Sequence, residues 1–564
     1  MNRRALAPAG RDGRGSCGAR GVHGAREVRS GGPAAPAVAG ERPPDERWAM
    51  LPLWLLVVVP PLFLWPMAKD PFRLPKLLLA EWLAIASLVP LAWALRRVET
   101  VRWRDLWRQP AIRAVLPLAA VATAGLVTSA HPLHVREGLA DLWIGAACLV
   151  GWSAALPAAR LERLLVGLLW PAAAVATIGI LQFHGLHLLA VAPSPGGARY
   201  AVTSTAGNTG DLAAFLVLPC LIAQWGLARG AAAALPGGRA VAAATGRAGE
   251  KASGVGRPGR RIWLVAVLAL CAYAIAVTQT LAALVALLLS SLTFWAATLG
   301  RGSRGLRWLA AACAAAAILA AGAVGAVPAL RGRVLEKVSQ ARRGDWNHVL
   351  TGRLDGWRAA LWMLARHPWT GVGQGAYRAE FVPAKLALLD RGTAFLSGMQ
   401  QNFANAHDEA LEVGADLGVP GLLALAWALA VVASAARQRV APASPGVPPG
   451  GTKVEGTMRA PAAPGTARTA AVDGTSRAAA VVAGISGAAT PVTGASRGDA
   501  GGGEPADGAV SRARRAGGAF AAAGLAALGL LCLVDFPFRV ALVAFPALLF
   551  LAWVLRPAVA EAAA

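Results

Sequence analysis

Residues 262–299 read IWLVAVLALCAYAIAVTQTLAALVALLLSSLTFWAATL and contain no Asp, Glu, Lys or Arg. An apolar run of about 18 or more residues reads as a membrane-crossing helix. This stretch holds two, 262–278 and 281–299, with Gln279 and Thr280 between them. Helix is the expected conformation, because backbone polar groups in lipid must pair internally.

The same reading, carried outward, predicts twelve spans: about 50–67, 74–95, 111–130, 139–156, 164–182, 211–228, 262–278, 281–299, 308–327, 417–436, 518–534 and 539–555. Each approaches the roughly 20 residues that cross about 30 Å at 1.5 Å per residue. Composition agrees: the 564 residues are 56% hydrophobic and 15% charged, with mean hydropathy +0.50. A soluble domain carries about 25% charge. The predicted fold class is all-α, a polytopic transmembrane helix bundle with one long loop on the outer side that contains amphipathic helices.

The formal net charge is +25. The positive residues lie mostly in tails and loops between apolar runs, which excludes nucleic acid as the partner and fits the positive-inside bias. With the N-terminus in the cytoplasm, the inside segments hold Arg96, Arg97, Arg102, Arg104 and Arg108, then Arg160 and Arg163, the 229–261 segment, and Arg301, Arg304 and Arg307. Residues 328–416 fall outside with eleven Lys or Arg, as long loops cross regardless of charge. Both termini are then cytoplasmic.

Three segments lack the apolar content to order themselves: the basic tail 1–48, and the Ala/Gly/Pro/Arg-rich cytoplasmic linkers 229–260 and 437–517. They frame a membrane core at 49–436 and a final pair of helices at 518–556. Met50 directly precedes the first span, and a translation start there is the expectation that an intact mass would test. The first span contains Pro60 and Pro61, lacks an A-x-A site and leads into a second span, unlike a cleaved signal peptide. Of the six cysteines all but Cys17 lie in apolar runs, and none forms a CxxC pair, so neither a disulfide framework nor a zinc site is implied.

The 328–416 loop carries the polar information. It holds Trp346, Trp357, Trp362 and Trp369. In TGRLDGWRAALWMLAR (351–366), Leu354, Trp357, Leu361 and Leu364 fall at helical spacing, which predicts an amphipathic helix capped by Thr351 and ended by His367-Pro368. GVGQGAY (371–377) is not G-x-G-x-x-G and follows no strand; it reads as a turn that lets backbones approach closely. NFANAHDEALEVGADLGVPGLL (402–423) sets His407 among Asp408, Glu409, Glu412 and Asp416. A helix from about Met399 to Asp416 is expected, with His407 facing Phe403, Ala404, Ala410 and Leu411. In a second outside loop, 183–210, Arg199 is the one full positive charge, and Asn208, Thr209 and Asp211 suit a helix start. Glu81 and Asp141 lie in or near apolar spans, where acids lean functional; Lys76 and Arg136 nearby equally allow a span-end capping role. From spacing alone His407 reads either as a catalytic group or as an interfacial histidine.

GGARYAVTSTAGNTGDLAAFLVLP, TGRLDGWRAALWMLARHPWTGVGQGAY and NAHDEALEVGADLGVPGLL, with DPFRLPKLLLA at 70–80 and DFPFRVALVAFPALLFLAWVL at 535–555, resemble the O-antigen ligase and polymerase superfamily of bacterial inner membranes. The resemblance covers roughly 50–436 and 518–556. It implies a metal-independent, cofactor-free, inverting glycosyltransferase. A glycan would pass from an undecaprenyl-diphosphate carrier to an acceptor hydroxyl on the periplasmic face. The acceptor is a lipid A–core sugar for a ligase and another carrier-linked repeat for a polymerase. By position, His407 matches the family's histidine and takes the role of general base. Arg199 and Arg353 match its diphosphate-binding arginines, with Arg358 and Arg378 as further candidates. Asp408 departs from the family, which often has Asn there. The chemistry is consistent: guanidinium pairs two phosphate oxygens at once, and histidine, with a reference pKa of about 6.5, suits proton abstraction from a hydroxyl. A lipid-linked glycan transporter would instead show internal repeats and broken mid-membrane helices. A non-catalytic assembly protein would not depend on His407.

Overall fold

The structure, a computed structural model, describes residues 46–68, 70–96, 107–188, 202–233, 256–299, 328–396, 402–440, 506–533 and 540–556, together with 322, 325 and 538. It is all helical, with 81% helix and no strand among the described residues. Arg47–Ala564 form one compact unit. In chain order the helices are α1 (Glu46–Leu62), α2 (Arg73–Arg96), α3 (Pro110–Thr128), α4 (Pro132–Ala155), α5 (Ala158–Gly167), α6 (Leu169–Phe183), α7 (Thr209–Ala233), α8 (Gly256–Val277), α9 (Leu281–Leu299), α10 (Pro328–Arg342), α11 (Trp346–Val349), α12 (Arg353–Arg366), α13 (Tyr377–Leu389), α14 (Glu409–Val440), α15 (Ala506–Cys532) and α16 (Ala541–Leu555).

Nine described helical segments are long and apolar enough to cross a membrane, and two shorter apolar ones, Met50–Leu62 and Ala541–Leu555, coincide with the expected first and last spans. The chain is a multi-pass membrane protein. Apart from 322 and 325, the expected span 308–327 lies outside the described residues. Helix continues to Ala233 and Val440 and resumes at Gly256 and Ala506, inside the bounds expected for the two linkers.

The bundle is built around α7, of whose apolar window 83% is buried, against 22% for α9. Trp225 on α7 stacks on Phe520 of α15 at 4.6 Å and meets Trp553 of α16 edge-on at 5.6 Å. Just before α7, residues 202–208 are tucked among the spans by polar ties. Gln182 Oε1 accepts from the Ser204 N–H (2.6 Å), and Thr205 Oγ1 donates to Pro61 O (2.6 Å). Lys76 Nζ donates to Thr205 O, and Arg73 pairs with Asp211 at 2.9 Å. Glu81 on α2 and Asp141 on α4 are close enough to interact, and Lys76, offered as a capping partner, donates to Thr205 O.

A second, smaller core seats the 328–416 segment on the bundle. Ala122 of α3 and Val135 and Leu139 of α4 pack with Ala359, Ala360 and Met363 of α12, with Tyr377 and Phe381 of α13, and with Ala406, Ala415 and Leu417. The face of α12 differs from the expected Leu354-Trp357-Leu361-Leu364 stripe. It buries Asp355, Gly356, Ala359, Ala360 and Met363, and Leu361 is 52% exposed. Small residues win because they let the backbones close in. Asp355 is tolerated there because Asn347 Nδ2 (2.8 Å) and the Leu396 N–H (3.2 Å) satisfy its carboxylate.

Candidate functional site

The site is assembled at the end of the bundle where α3 finishes and α4 begins. The glycine turn 371–377 fixes its geometry. Gly371, Gly373 and Gly375 all have positive φ (62°, 107° and 80°), a region open to glycine at no steric cost. The turn runs beside the top of α14. Val372 N donates to Ala415 O (2.9 Å) and Gly373 N to Asp416 O (2.8 Å). The buried Asp416 carboxylate accepts from the Gly375 N–H (2.6 Å) and the Tyr377 N–H (3.1 Å). Ser129 Oγ at the end of α3 donates to Val372 O at 2.5 Å. A Cβ on Gly138 would sit 2.6 Å from Gln374 O, so this glycine lets α4 touch the turn. The close approach expected of GVGQGAY is what the structure shows.

His407 is not on a helix, which corrects the expected helix from Met399 to Asp416. Residues 397–401 lie outside the described residues, and α14 begins only at Glu409. Asp408 is its N-cap, with Oδ1 accepting from Leu411 N at 2.8 Å. Glu412 reaches back to hold Asn405 Nδ2 (3.0 Å) and the Ala406 N–H (3.0 Å). These two carboxylates pin 405–408 as a turn, and His407 adopts φ +59°. A non-glycine residue in that region costs on the order of 1 kcal/mol, and such outliers gather at functional sites. The His407 ring meets Phe403 edge-on at 5.6 Å, and Phe403 stacks on Phe381 at 5.1 Å. The expected helix ran through this cap, although Asp followed by acidic residues is a helix-start signal.

Arg353 opens α12. Thr351, expected as the cap, has φ +56° and Gly352 occupies the cap position without a side-chain bond. Thr351 Oγ1 instead accepts from Arg353 Nη1 at 2.8 Å, as Leu350 O does at 3.3 Å. Gly352 faces Phe403, and a Cβ on Gly356 would lie 2.8 Å from Ala406 O. The first turn of α12 is therefore pressed against 403–407. The arrangement brings the Arg353 and His407 segments together across 54 residues of chain.

Arg199 lies outside the described residues. Arg358 donates to Ala394 O at 2.6 Å. Arg378, on α13, pairs with Glu137 of α4 and donates to His134 Nδ1 at 2.8 Å. At the N-cap of α4, His131 Nε2 meets Glu380 at 2.8 Å. His348 and Asp345 form a local pair at 2.6 Å, and its hydrogen bonds hold the Asp345 carboxyl below the usual range.

Sequence reasoning missed Tyr377. It is fully buried, with its hydroxyl donating to Gly356 O at 3.0 Å. Burial first, then the Glu412, Asp416 and Asp355 carboxylates, push its pKa well above the ordinary phenol value, so it remains a neutral donor that ties α13 to α12. Burial, opposed by the Leu411 and Ala410 N–H groups and reinforced by Glu412, also raises Asp408.

Residues 264–426 match the family model described as O-Antigen ligase. That interval contains Arg353, Arg358, Arg378 and His407 and stops short of Arg199. No curated protein matched the sequence. The match supports a glycosyltransferase of the ligase or polymerase type acting on lipid-linked and acceptor glycans. The similarity over residues 264–426 supports a place in the O-antigen ligase superfamily.

Proposed function

We propose that this protein is an inverting, metal-independent O-antigen ligase at the periplasmic face of the bacterial inner membrane, with both termini cytoplasmic. The donor is a glycan on undecaprenyl diphosphate, and the acceptor is a sugar hydroxyl of the lipid A–core. His407 takes the acceptor's proton while the oxygen attacks the anomeric carbon. The bond from that carbon to the diphosphate breaks, and undecaprenyl diphosphate leaves with the electron pair. Arg353, with Arg199, meets the negative charge that develops on the leaving oxygens; a charge-assisted, bidentate contact is the strong form of such an interaction.

One observation carries this reading: the first turn of α12 packs against 403–407, with Gly352 facing Phe403 and Gly356 facing Ala406 O. The packing sets a permanent cation's helix start beside a histidine held in a left-handed conformation. A positioned general base contributes about 10²–10⁴-fold. A deletion strain examined by lipopolysaccharide gel tests the assignment. Bare core with free carrier-linked polymer is the expected outcome. Core bearing a single repeat would make the protein a polymerase, and normal banding would refute both.

A further inference from the structure

An open cleft of about 630 Å³ separates α4 from the start of α13 and the 402–404 segment. It is lined by His134 and Glu137 of α4, by Arg378, Ala379 and Val382 of α13, and by Asn402 and Ala404. Ala404 is three residues from His407, at most about 10 Å of extended chain, so part of the cleft's lining belongs to the stretch of backbone that delivers the proposed base.

The cleft's chemistry is close to neutral. The Arg378 charge is met by Glu137. Arg378 Nε and Nη2 both donate to His134 Nδ1, at 3.2 and 2.8 Å. Guanidinium has no acceptor, so Nδ1 is the lone-pair nitrogen and the ring hydrogen sits on Nε2. Asn402 spends one amide hydrogen on Arg378 O at 3.3 Å. The side chains of Arg378, Glu137 and His134 remain 41%, 66% and 38% exposed. What they offer is an alternation of donors and acceptors beside the small apolar side chains of Ala379, Val382 and Ala404. A diphosphate would find no surplus positive charge here. A sugar suits it, since each hydroxyl both donates and accepts and its C–H face can rest on Val382 and Ala404. The volume falls within the roughly 300–1,000 Å³ of small-ligand sites, and the open side lets a longer glycan extend outward.

We propose that this cleft is the acceptor subsite: it binds a neutral, hydroxyl-rich sugar residue and presents one of its hydroxyls towards His407. The inference rests on the ligase reading and adds the residues that would select the acceptor.

The test uses the full-length protein in lipid nanodiscs, titrated with an acceptor oligosaccharide released from lipopolysaccharide core and, separately, with inorganic pyrophosphate. Asn402→Ala and Glu137→Gln are each expected to weaken oligosaccharide binding and raise the acceptor KM about tenfold, the effect of one or two lost hydrogen bonds. Pyrophosphate binding and the donor KM should not change. Val382→Trp adds bulk to the cleft lining while leaving every polar tie in place, and is expected to block the oligosaccharide alone. An unchanged acceptor KM in all three variants, a loss confined to pyrophosphate, or no oligosaccharide binding by the wild type would overturn the proposal. His407→Ala in the same assay keeps the two ideas apart. If it abolishes transfer while the cleft variants bind normally, only the cleft assignment fails; if it transfers normally while they lose the acceptor, only the base assignment fails.

Discussion

Replacing Gly356 by alanine probes the contact that joins the two halves of the proposed site. In an exposed helix interior this change stabilises by about 1 kcal/mol, because alanine is the better helix former. Here the new Cβ would stand 2.8 Å from Ala406 O and 3.3 Å from the Tyr377 hydroxyl. Ordinary contact begins at 3.4 Å, so the 406 backbone or α12 must retreat by about 0.6 Å. Neither gives easily: Ala406 is tied to Glu412, and Gly356 O receives Tyr377. Overpacking of this kind costs about 1–3 kcal/mol, which cancels or exceeds the propensity gain. Gly332 on α10 has nothing within 4 Å of its Cβ position and provides the control. Gly356→Ala should therefore be about 1–3 kcal/mol less stable than Gly332→Ala in thermal unfolding of the detergent-solubilised protein. Its transfer rate should drop further than its stability, since a displacement approaching 1 Å near reacting groups costs up to about 10²-fold. Gly356→Ala with the stability and transfer rate of Gly332→Ala would refute the claim that α12 presses on the His407 segment.

Three more outcomes follow from the same contacts. Asp408→Asn should fold normally, because Asn caps as well as Asp. The folded-state carboxyl is raised, so its contribution is fully present below the unfolded value of about 3.9 and is lost as pH rises through the folded value. The stability of Asp408→Asn relative to wild type should therefore improve from pH 3.5 to pH 7 in parallel melts, and the opposite slope would contradict the burial argument. Asp416→Asn keeps one of two carboxylate contacts to the glycine turn and should cost about 2 kcal/mol, with Asp416→Ala near twice that, read by thermal unfolding. Tyr377→Phe removes the bond to Gly356 O and should cost about 1 kcal/mol; absorbance should show no phenolate from Tyr377 below pH 10 in the folded wild type.

The membrane helices were legible because the physical rule behind them is local: uncharged runs near 20 residues must be helical in lipid. The turn at 371–377 was legible for a similar reason, since three alternating glycines ask for positive φ. The face of α12 was not, because periodicity counts large apolar side chains, whereas this helix docks through glycine and alanine and carries a satisfied buried Asp355. The His407 turn was misread as helix because two carboxylates, one at the cap and one a turn later, hold it open. Tyr377, and the alignment of His134 and Glu137 with Arg378, depend on contacts 20 to 250 residues apart in sequence, which local pattern does not encode.

The central claim is that His407 removes the proton of an acceptor hydroxyl while the Arg353 region holds the diphosphate. Purified protein reconstituted with an undecaprenyl-diphosphate-linked glycan and its acceptor measures this directly. His407→Ala is predicted to lose transfer by at least about 10²-fold while still binding the lipid diphosphate as wild type does. Transfer at the wild-type rate by the His407→Ala protein would contradict the account.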